Sequence, residues 1–332
     1  MVILADRNRR EIGPIKKANL TVKPNGKDKE KTFSIQIARR YWTEEMCFSN
    51  YIYIPGTEFG GIIGEILTDT TLDYVELKGY TWRGLMQMKV IKPPSDTAYQ
   101  VVSGELNTVL RSMIEPRFSG LFVVPEKETG VTVTNYQFDR FCTLLGGCMK
   151  MLNTVKYRLH IEYRKDVQTL PGYVYVEAVP VVDYSSQIEL SKDSRLQFTM
   201  DKKRNGVNHL IVTGKGELLE RNVLDLYAWP DGSIKTEQYY TGIDEIEEVY
   251  ENTSTETSDL RNSAEEKFRE LMSKDTFSMN VEKLGIDVEI GDIVGARDYL
   301  TGMYMSKPIE NIIYDITGGV VSKTYKLEGE DE

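Results

Sequence analysis

The chain is poor in the residues from which most reactive sites are built. Its 332 residues include three cysteines and two histidines. Cys142 and Cys148 are six positions apart, so a helix would turn them to different faces. Neither His160 nor His209 stands at a zinc-ligand spacing from them. All three cysteines, including Cys47, are therefore predicted to be free thiols, without a disulfide framework or a cysteine–histidine zinc site.

Long apolar runs and a targeting pattern are missing as well. No run of about 18 apolar residues is available to span a bilayer. The opening residues Met1–Leu4 lead directly into the charged stretch Asp6–Arg10, which is unlike a secretory signal. The net charge of −10 argues against duplex nucleic acid as a tightly held partner, because such binding needs lysine and arginine against phosphates. We expect a protein without a membrane-spanning segment.

Sequence motifs of catalysis are missing too. There is no His-Glu-x-x-His and no Gly-x-Ser-x-Gly. Acidic pairs occur, such as Glu217 with Glu220 and Glu247 with Glu248, but nothing marks a cleft between two carboxyls of a glycosidase. The segment Gly214–Gly216 resembles a fragment of a phosphate-binding loop, yet the acidic residues after it would repel phosphate. We predict no catalytic, cofactor-binding or metal-ligating residue, no cofactor, and no enzymatic activity.

What the sequence does contain is short strands. Apolar residues alternate with polar ones, or branched and aromatic residues cluster, in four stretches of the first hundred residues. These stretches surround Phe33–Ile37, Tyr51–Ile54, Gly60–Ile66 and Tyr74–Tyr80. Short strands joined by proline- and glycine-containing turns favour a small barrel or sandwich over a parallel α/β fold.

Two helices are predicted next, each from apolar residues at helical spacing. The first stripe is Val102, Leu106, Val109, Leu110 and Met113, and the second is Phe138, Phe141, Cys142, Leu145 and Met149. Ser103 is the predicted N-cap of the first helix and Asn135 that of the second. Both stripes are interpreted as core packing, although an aromatic and methionine stripe can also line a cofactor pocket.

An alternating strand pair follows, over Tyr157–Tyr163 and Tyr173–Val179. His160 falls on its polar side with no serine, cysteine or second histidine near it in sequence. A surface or inter-strand hydrogen bond is therefore the predicted role of His160.

The stretch after residue 196 predicts a hairpin. Gln197–Met200 alternates, Asn205-Gly206 favours a tight turn, and His209–Thr213 is the return strand. Further strands are predicted at Leu224–Gly232, Val288–Arg297 and Tyr304–Tyr314, with a turn at Gly291-Asp292. A third helix over Thr257–Lys274 is predicted from an apolar face of Leu260, Ala264, Phe268 and Leu271, with Ser258 as its cap.

The order of these pieces resembles that of siphophage tail proteins related to the baseplate hub, including the N-terminal module of tail-associated lysins. The resemblance rests on many short segments across nearly the whole chain, so their order matters more than any one of them. They are Asp6-Arg7-Asn8 before Glu11-Ile12-Gly13, Gly61–Ile66, Leu77–Tyr80, Leu85, Pro93-Pro94, Tyr136–Leu145, Asn208–Glu217 and Ile290–Val294.

That resemblance implies a fold and a role. It implies a β-rich α+β chain with small hub-type β-barrels and a few packed helices. The expected segments are 1–95, a first barrel part; 96–185, an α+β domain; 186–240, a β segment returning to the first barrel; and 241–332, completing a second barrel. The implied protein is a virion structural subunit, made in the bacterial cytoplasm and located in the phage tail or a tail-like particle.

The resemblance also implies partners. The expected assembly is a homotrimeric ring that closes or extends the tail tube and takes part in viral assembly and host cell entry. The ring would contact the tail tube or distal tail protein on one side and a tip, spike or fibre protein on the other. An acidic lumen would let DNA pass without sticking. The chain stops about where the hub module would end. The resemblance therefore implies a part that attaches and seals the tail rather than one that cuts the cell wall.

Two alternatives stay open. A cell-wall hydrolase of the tail tip would use paired carboxylates. A carbohydrate-binding module would use aromatic stacking platforms, for which the candidates are Tyr173, Tyr175, Trp229, Tyr239 and Tyr240.

Overall fold

The structure is a computed structural model and describes residues 1–25, 31–165, 171–186, 197–252, 257–273, 275–279, 281 and 286–329. The chain divides into two compact units. Unit 1 comprises Met1–Phe198 and Ser278–Glu330, and Thr199–Phe277 form unit 2. These boundaries differ from the four predicted segments, whose assignment to two barrels stays a prediction.

The described residues form 21 strands and four α-helices, besides short 3-10 turns. The strands are β1 (Ile3–Ala5), β2 (Glu11–Pro14), β3 (Ala18–Val22), β4 (Thr32–Ala38), β5 (Tyr51–Tyr53), β6 (Gly60–Thr68), β7 (Tyr74–Thr81), β8 (Val101–Glu105), β9 (Phe122–Val123), β10 (Thr132–Gln137), β11 (Tyr157–Arg164), β12 (Tyr173–Pro180), β13 (Phe198–Asp201), β14 (His209–Thr213), β15 (Val223–Ala228), β16 (Ile234–Lys235), β17 (Glu247–Glu251), β18 (Thr276–Met279), β19 (Ile293–Arg297), β20 (Tyr304–Thr317) and β21 (Val320–Leu327). The helices are α1 (Trp82–Gln87), α2 (Leu106–Ile114), α3 (Leu144–Thr154) and α4 (Thr257–Leu271). Within the part of the chain that the structure describes, every helix is too short or too polar to cross a bilayer.

A ten-stranded antiparallel sheet dominates unit 1, in the order β19-β20-β3-β4-β7-β6-β5-β1-β2 with β21 paired to β20. The predicted alternation of Phe33, Ile35 and Ile37 is confirmed, because all three side chains are buried while their neighbours on β4 are half-buried. The α+β, strand-rich class is confirmed. Among the described residues, the two end strands of the sheet do not pair with each other, so closure into barrels stays a prediction.

Two glycines allow the centre of this sheet to pack closely. A Cβ added at Gly61 would lie 2.1 Å from the carbonyl oxygen of Tyr80, and one at Gly79 would lie 1.8 Å from that of Ile62. Both would also lie within 3 Å of the Phe33 ring. Glycine is therefore required at positions 61 and 79 by the close approach of neighbouring groups.

The main core of unit 1 lies where helices α1 to α3 meet the β11-β12-β9 sheet and the near end of the large sheet. Its largest fully buried side chains include Trp82, Phe122, Phe138 and Tyr163. Helix α1 was not predicted. The hydroxyl of Thr81 caps it by accepting from the N–H of Gly84 at 3.2 Å.

The predicted cap of the first helix is wrong. Ser103 lies in strand β8, which pairs with β10, and its hydroxyl accepts from the N–H of Asn135. Helix α2 begins only at Leu106, and the Glu105 carboxylate caps it by accepting from the N–H of Thr108 at 2.9 Å. Strand pairing across 30 residues decided the conformation of the first residues of the apolar stripe.

The predicted cap of the second helix is wrong for the same reason. Asn135 lies in β10 with a φ of 48°, and Phe141, at a φ of 58°, still precedes the helix. Helix α3 begins at Leu144, where the Thr143 hydroxyl accepts from the N–H of Gly146 at 3.1 Å. Phe138 is buried in the core as predicted, but from the loop before the helix.

Unit 2 is a four-stranded sheet, in the order β16-β15-β14-β17, with helix α4 packed on its apolar side through Leu260, Ala264 and Phe268. The predicted hairpin is wrong in its pairing, since the neighbours of β14 are β15 and β17. Gly206 is needed because an added Cβ would lie 2.0 Å from the backbone nitrogen of Ser273. The third helix is confirmed, although the side chain of its predicted cap, Ser258, lies outside the described residues.

Candidate functional site

The densest group of charged side chains in unit 1 lies on the polar face of β11. We call it the charged seam: Glu58, Arg83, Arg158, His160, Glu162, Glu289 and Asp292. Because successive side chains of a strand point to opposite faces, Arg158, His160 and Glu162 share one side of β11. Leu159 and Ile161 point the other way into the core. Alternation along β11 therefore builds one wall of the seam.

The turn before β19 supplies the opposite wall. Gly291 has a φ of 99°, and the N–H of Asp292 donates to the carbonyl of Glu289 at 3.0 Å, so the predicted turn is confirmed. An added Cβ at Gly291 would lie 2.9 Å from the Cβ of Arg158. Glycine at this position therefore satisfies both the left-handed conformation and the close approach.

Arg158 and Asp292 form a bidentate ion pair. Nε lies 2.7 Å from Oδ1 and one terminal nitrogen 3.2 Å from Oδ2. The Asp292 side chain is 1% exposed, and its carboxylate also accepts from the backbone N–H groups of Val182 and Glu289, at 3.0 Å each. A buried carboxylate with this many donors is fully satisfied, so Asp292 joins the β11 hairpin to the segment before β19.

Glu289 bridges Arg158 and His160. Its Oε2 lies 2.5 Å from a terminal nitrogen of Arg158 and 2.8 Å from Nδ1 of His160. Burial alone would raise the pKa of Glu289, but the hydrogen bonds and charges of His160 and Arg158 outweigh it and lower that pKa to about 2. The hydrogen bond to Glu289 in turn raises the pKa of His160. The predicted hydrogen-bonding role of His160 is confirmed, with a partner 129 residues away.

Glu58 and Arg83 form the buried end of the seam. Oε2 of Glu58 lies 3.0 Å from Nε of Arg83, and another Arg83 nitrogen donates to the carbonyl of Leu159 at 3.1 Å. Burial raises the pKa of Glu58 despite the arginine. One raised and one lowered carboxyl pKa is a pattern that acid–base catalysis uses. Here, however, arginine holds both Glu58 and Glu289, which is the arrangement of structural ion pairs.

A cavity of about 640 Å³ adjoins the seam within unit 1. Arg83, Lys156, Arg158, Asn153 and Asp183 contribute polar groups to its wall. Met149, Ile290, Ile293 and Ile309 contribute apolar surface. This lining is suited to receive a mixed polar and apolar group, and the cavity contains no serine or cysteine among its described lining residues to act as a nucleophile.

Unit 2 contains a different group, which we call the histidine cluster: His209, Asp225, Glu245 and Glu247. Nδ1 of His209 lies 2.8 Å from Oε1 of Glu245 and 3.2 Å from Oε1 of Glu247. Nε2 lies 3.1 Å from Oδ1 of Asp225. The imidazole is 9% exposed and stacks on Tyr227, with ring centroids 4.3 Å apart. Three carboxylates thus surround one buried imidazole.

The structure separates the acidic pairs noted in the sequence. Glu217 and Glu220 are both exposed, at the two ends of a single 3-10 turn, Leu218–Glu220. Glu247 and Glu248 are consecutive on β17, so they point to opposite faces, and Glu247 meets His209 instead. Neither pair has its carboxyls across a cleft.

The aromatic candidates fall into two groups. Tyr173 and Tyr175 lie on β12, and the Arg164 guanidinium lies 3.4 Å from the centroid of the Tyr175 ring. In unit 2, Tyr239 contacts both Trp229 and Tyr240, at centroid distances of 5.1 and 5.0 Å. Lys235 covers the Trp229 ring at 3.6 Å. These three aromatic residues are therefore one surface group.

Sequence reasoning missed both charged groups. Arg158 and Asp292 are 134 residues apart, and His209 is 36 residues from Glu245. The available signal was a charged residue on the polar side of each predicted strand, which indicates a solvated face as often as a buried network. Packing of the turn before β19 against Arg158 on β11 brings the first group together, and the pairing of β14 with β17 brings His209 to Glu247.

No protein-family model and no curated protein matches the chain. Among solved structures it is similar to the tail protein from Neisseria meningitidis MC58, with 11% identity over 98% of this chain and 96% of that one, and a TM-score of 0.48. It is similar to the 43 kDa tail protein of prophage MuSo2 from Shewanella oneidensis, with 10% identity, 98% and 97% coverage and a TM-score of 0.49. It is also similar to prophage tail protein gp18 from Listeria monocytogenes EGD-e, with 11% identity over 100% of this chain and 95% of that one, and a TM-score of 0.46.

These neighbours are tail proteins, the class that the sequence motifs resemble. Identities near one tenth and TM-scores below 0.5 are too low to transfer a function. The function is therefore argued from the residues of this chain.

Proposed function

We propose that the chain is a structural subunit of a phage tail tip or baseplate. The most direct support is that residues of the motifs that resemble hub proteins serve close packing and ion pairing. Gly61 and Gly79 allow close packing of two central strands, and Asp292 forms a buried ion pair with Arg158. Residues that build walls and joints are what a tube component needs, since its task is carried by shape.

The subunit assembles as a ring, a homotrimer, by contacts at its sheet ends and hairpin tips. Strand β2 ends the large sheet, and its residues are exposed or half-exposed. Leu300, at the β19–β20 turn, is 94% exposed, and Val320, at the β20–β21 turn, is 71% exposed. Open strand edges and exposed apolar tips are surfaces that assembly between subunits covers.

The ring closes or extends the tail tube and connects it to tip, spike or fibre proteins. Its partners are further copies of itself, the tail tube or distal tail protein, and a tip component. DNA passes through its lumen without being held, which the net charge of −10 favours. The hub-type barrels of the sequence prediction belong to this same proposal.

The test is to locate the chain in intact particles. Cryo-electron microscopy of tails is expected to show three copies at the distal end of the tube. The variant Val320→Asp is expected to fold, since the side chain is exposed, and to reduce incorporation into particles at least tenfold. The variant Ser322→Asp, further along the same hairpin strand, is the control for a charge on β21. A chain missing from purified particles would overturn the proposal.

Carbohydrate binding is a second candidate, favoured by the contact of Tyr239 with Trp229 and Tyr240. Exposed aromatic faces stack on sugar rings. Tyr239→Ala is then expected to lose saturable binding to cell-wall glycan, and Tyr299→Ala, at another exposed tyrosine, to retain it. Glycan binding that is missing from the wild-type chain would remove this candidate.

The remaining alternative, a cell-wall hydrolase, is tested by zymography on purified cell wall. A clearing band that disappears in Glu58→Gln would assign the carboxyl of raised pKa as an acid catalyst and contradict a purely structural role. We expect no band.

A further inference from the structure

We propose that His209, Glu245 and Glu247 bind a divalent transition-metal ion of the Zn²⁺ class in unit 2. The proposal is independent of the proposed structural role in a phage tail. It also departs from the sequence-based expectation that the chain has no metal ligand.

The positions of the three side chains follow from strand register. His209 on β14 is directly opposite Glu247 on β17 and opposite Tyr227 on β15. Glu245 lies in the segment just before β17, and its Oε1 reaches Nδ1 of His209 at 2.8 Å. Asp225, two residues before Tyr227, lies on this side as well. Two neighbouring strands thus direct carboxylates at one imidazole.

The spacing of the donor atoms fits a metal. One ligand atom from each of His209, Glu245 and Glu247 lies within 4.8 Å of the other two. The distances from Nδ1 to the two carboxylate oxygens are 2.8 and 3.2 Å. Ligands about 2.0–2.1 Å from a tetrahedral Zn²⁺ are separated by roughly 3.3 Å. A small movement of the carboxylates therefore converts the cluster into a coordination shell.

Charge supports the same conclusion. Nδ1 carries at most one proton, yet two carboxylates face it. The described residues contain no lysine or arginine ion pair to Asp225, Glu245 or Glu247, and the one further donor recorded for Glu245 is the neutral amide of Gln238. Even when the imidazole is counted with its full positive charge, three carboxylates leave a formal excess of two negative charges. A divalent cation that replaces the Nδ1 proton reduces this excess.

The other ring nitrogen is already arranged as in metal-binding histidines. Nε2 faces the Asp225 carboxylate at 3.1 Å, and the ring is held flat against Tyr227. Metal-bound histidines commonly donate their second N–H to a carboxylate, which fixes the ring and leaves the first nitrogen as a ligand. Asp225 is thus a positioning residue, separate from the three ligands.

An imidazole with carboxylates is a nitrogen and oxygen donor set that favours Zn²⁺ over Mg²⁺ or Ca²⁺, which prefer all-oxygen sites. Glu247 lies on the edge strand β17 and His209 on its neighbour β14. Metal binding would therefore cross-link the edge strand β17 to its neighbour β14 in unit 2.

The experiment is isothermal titration of the chelator-treated full chain with Zn²⁺, with Mg²⁺ and Ca²⁺ as comparison ions. One Zn²⁺ per chain is expected, with weaker binding of Mg²⁺ and Ca²⁺. Glu247→Gln, at an exposed position that tolerates substitution, should weaken binding at least tenfold. Asp225→Asn should weaken it about 10- to 100-fold through the positioning of the ring.

The matched control is Glu248→Gln, the neighbouring residue on β17 that points away from His209. It should leave Zn²⁺ affinity within about twofold of the wild type. Lack of binding by the wild-type chain would overturn the proposal. So would binding that survives both Glu247→Gln and Glu245→Gln, since that result would place the metal elsewhere, for example on the cysteines.

Discussion

The charged seam of unit 1 and the histidine cluster of unit 2 begin from the same local design and differ in charge balance. Each has a histidine on a strand whose imidazole meets carboxylates from a distant segment. In the seam, each carboxylate has an arginine partner: Arg83 pairs with Glu58, Arg158 with both Glu289 and Asp292, and Arg164, the neighbour of the seam on β11, with Glu162. In the cluster, the ion pairs recorded for the carboxylates around His209 all go to that imidazole.

The difference shows what the charged side chains contribute in each unit. A balanced network holds two chain segments together and has no spare coordination capacity. A network with excess negative charge keeps that capacity and attracts a cation. The same residue types therefore indicate a joint in one unit and a ligand site in the other.

The largest expected effect comes from breaking the balanced network. Arg158→Met leaves the Asp292 carboxylate, at 1% exposure, without its counter-ion. We expect the free energy of unfolding to fall by about 3–5 kcal/mol, as for other buried pairs that lose one partner. Urea denaturation of the full chain measures this loss.

Lys150→Met is the control for Arg158→Met, because Lys150 pairs with Asp139 where both side chains are more than 60% exposed. It should cost at most about 1 kcal/mol. Equal losses in the two variants would show that the Arg158 pair does not behave as a buried joint.

A pH series gives the next effect. The lowered pKa of Glu289 means that its stabilising contribution is present above about pH 4.5 and is lost as pH falls towards 2. The raised pKa of His160 means that its contribution is present below about pH 6.5 and is lost as pH rises through the folded-state value. The stability difference between wild type and Glu289→Gln should therefore be largest between about pH 4.5 and 6.5.

We expect this difference to be on the order of 1 kcal/mol, because Glu289 is 42% exposed and solvent screens its charge. Thermal unfolding of both proteins across pH 3 to 9, roughly the range over which these groups titrate, measures it. A difference that does not change with pH would contradict the assigned coupling of Glu289 to His160.

The smallest expected effect gives the most direct comparison, because a glutamate is replaced by glutamine in both the charged seam and the histidine cluster. Glu289→Gln removes a paired charge and should lower stability. Glu247→Gln in the metal-free chain removes an excess negative charge and should raise stability by about 0.2–1 kcal/mol. The measurement is chemical denaturation in the presence of a chelator. A loss of stability in metal-free Glu247→Gln would mean that the cluster is balanced without a cation.

The comparison also shows how far local pattern reaches. The alternation at Phe33, Ile35 and Ile37 predicts β4, and the apolar stripe with Leu260, Ala264 and Phe268 predicts α4. The caps failed because Ser103 and Asn135 bond to each other across paired strands, which local spacing does not reveal. The hairpin failed because glycine at 206 serves packing against Ser273 rather than a turn.

By itself, the sequence determined the strand-rich class, the faces of most strands and the turn at Gly291-Asp292. These features depend on side-chain period and backbone preference, which act within a few residues. The tertiary structure alone decided that Arg158 meets Asp292 and that Glu247 meets His209. The first meeting depends on which turn packs against β11. The second depends on the register of β14 and β17, where a shift of one residue would turn Glu247 to the other face.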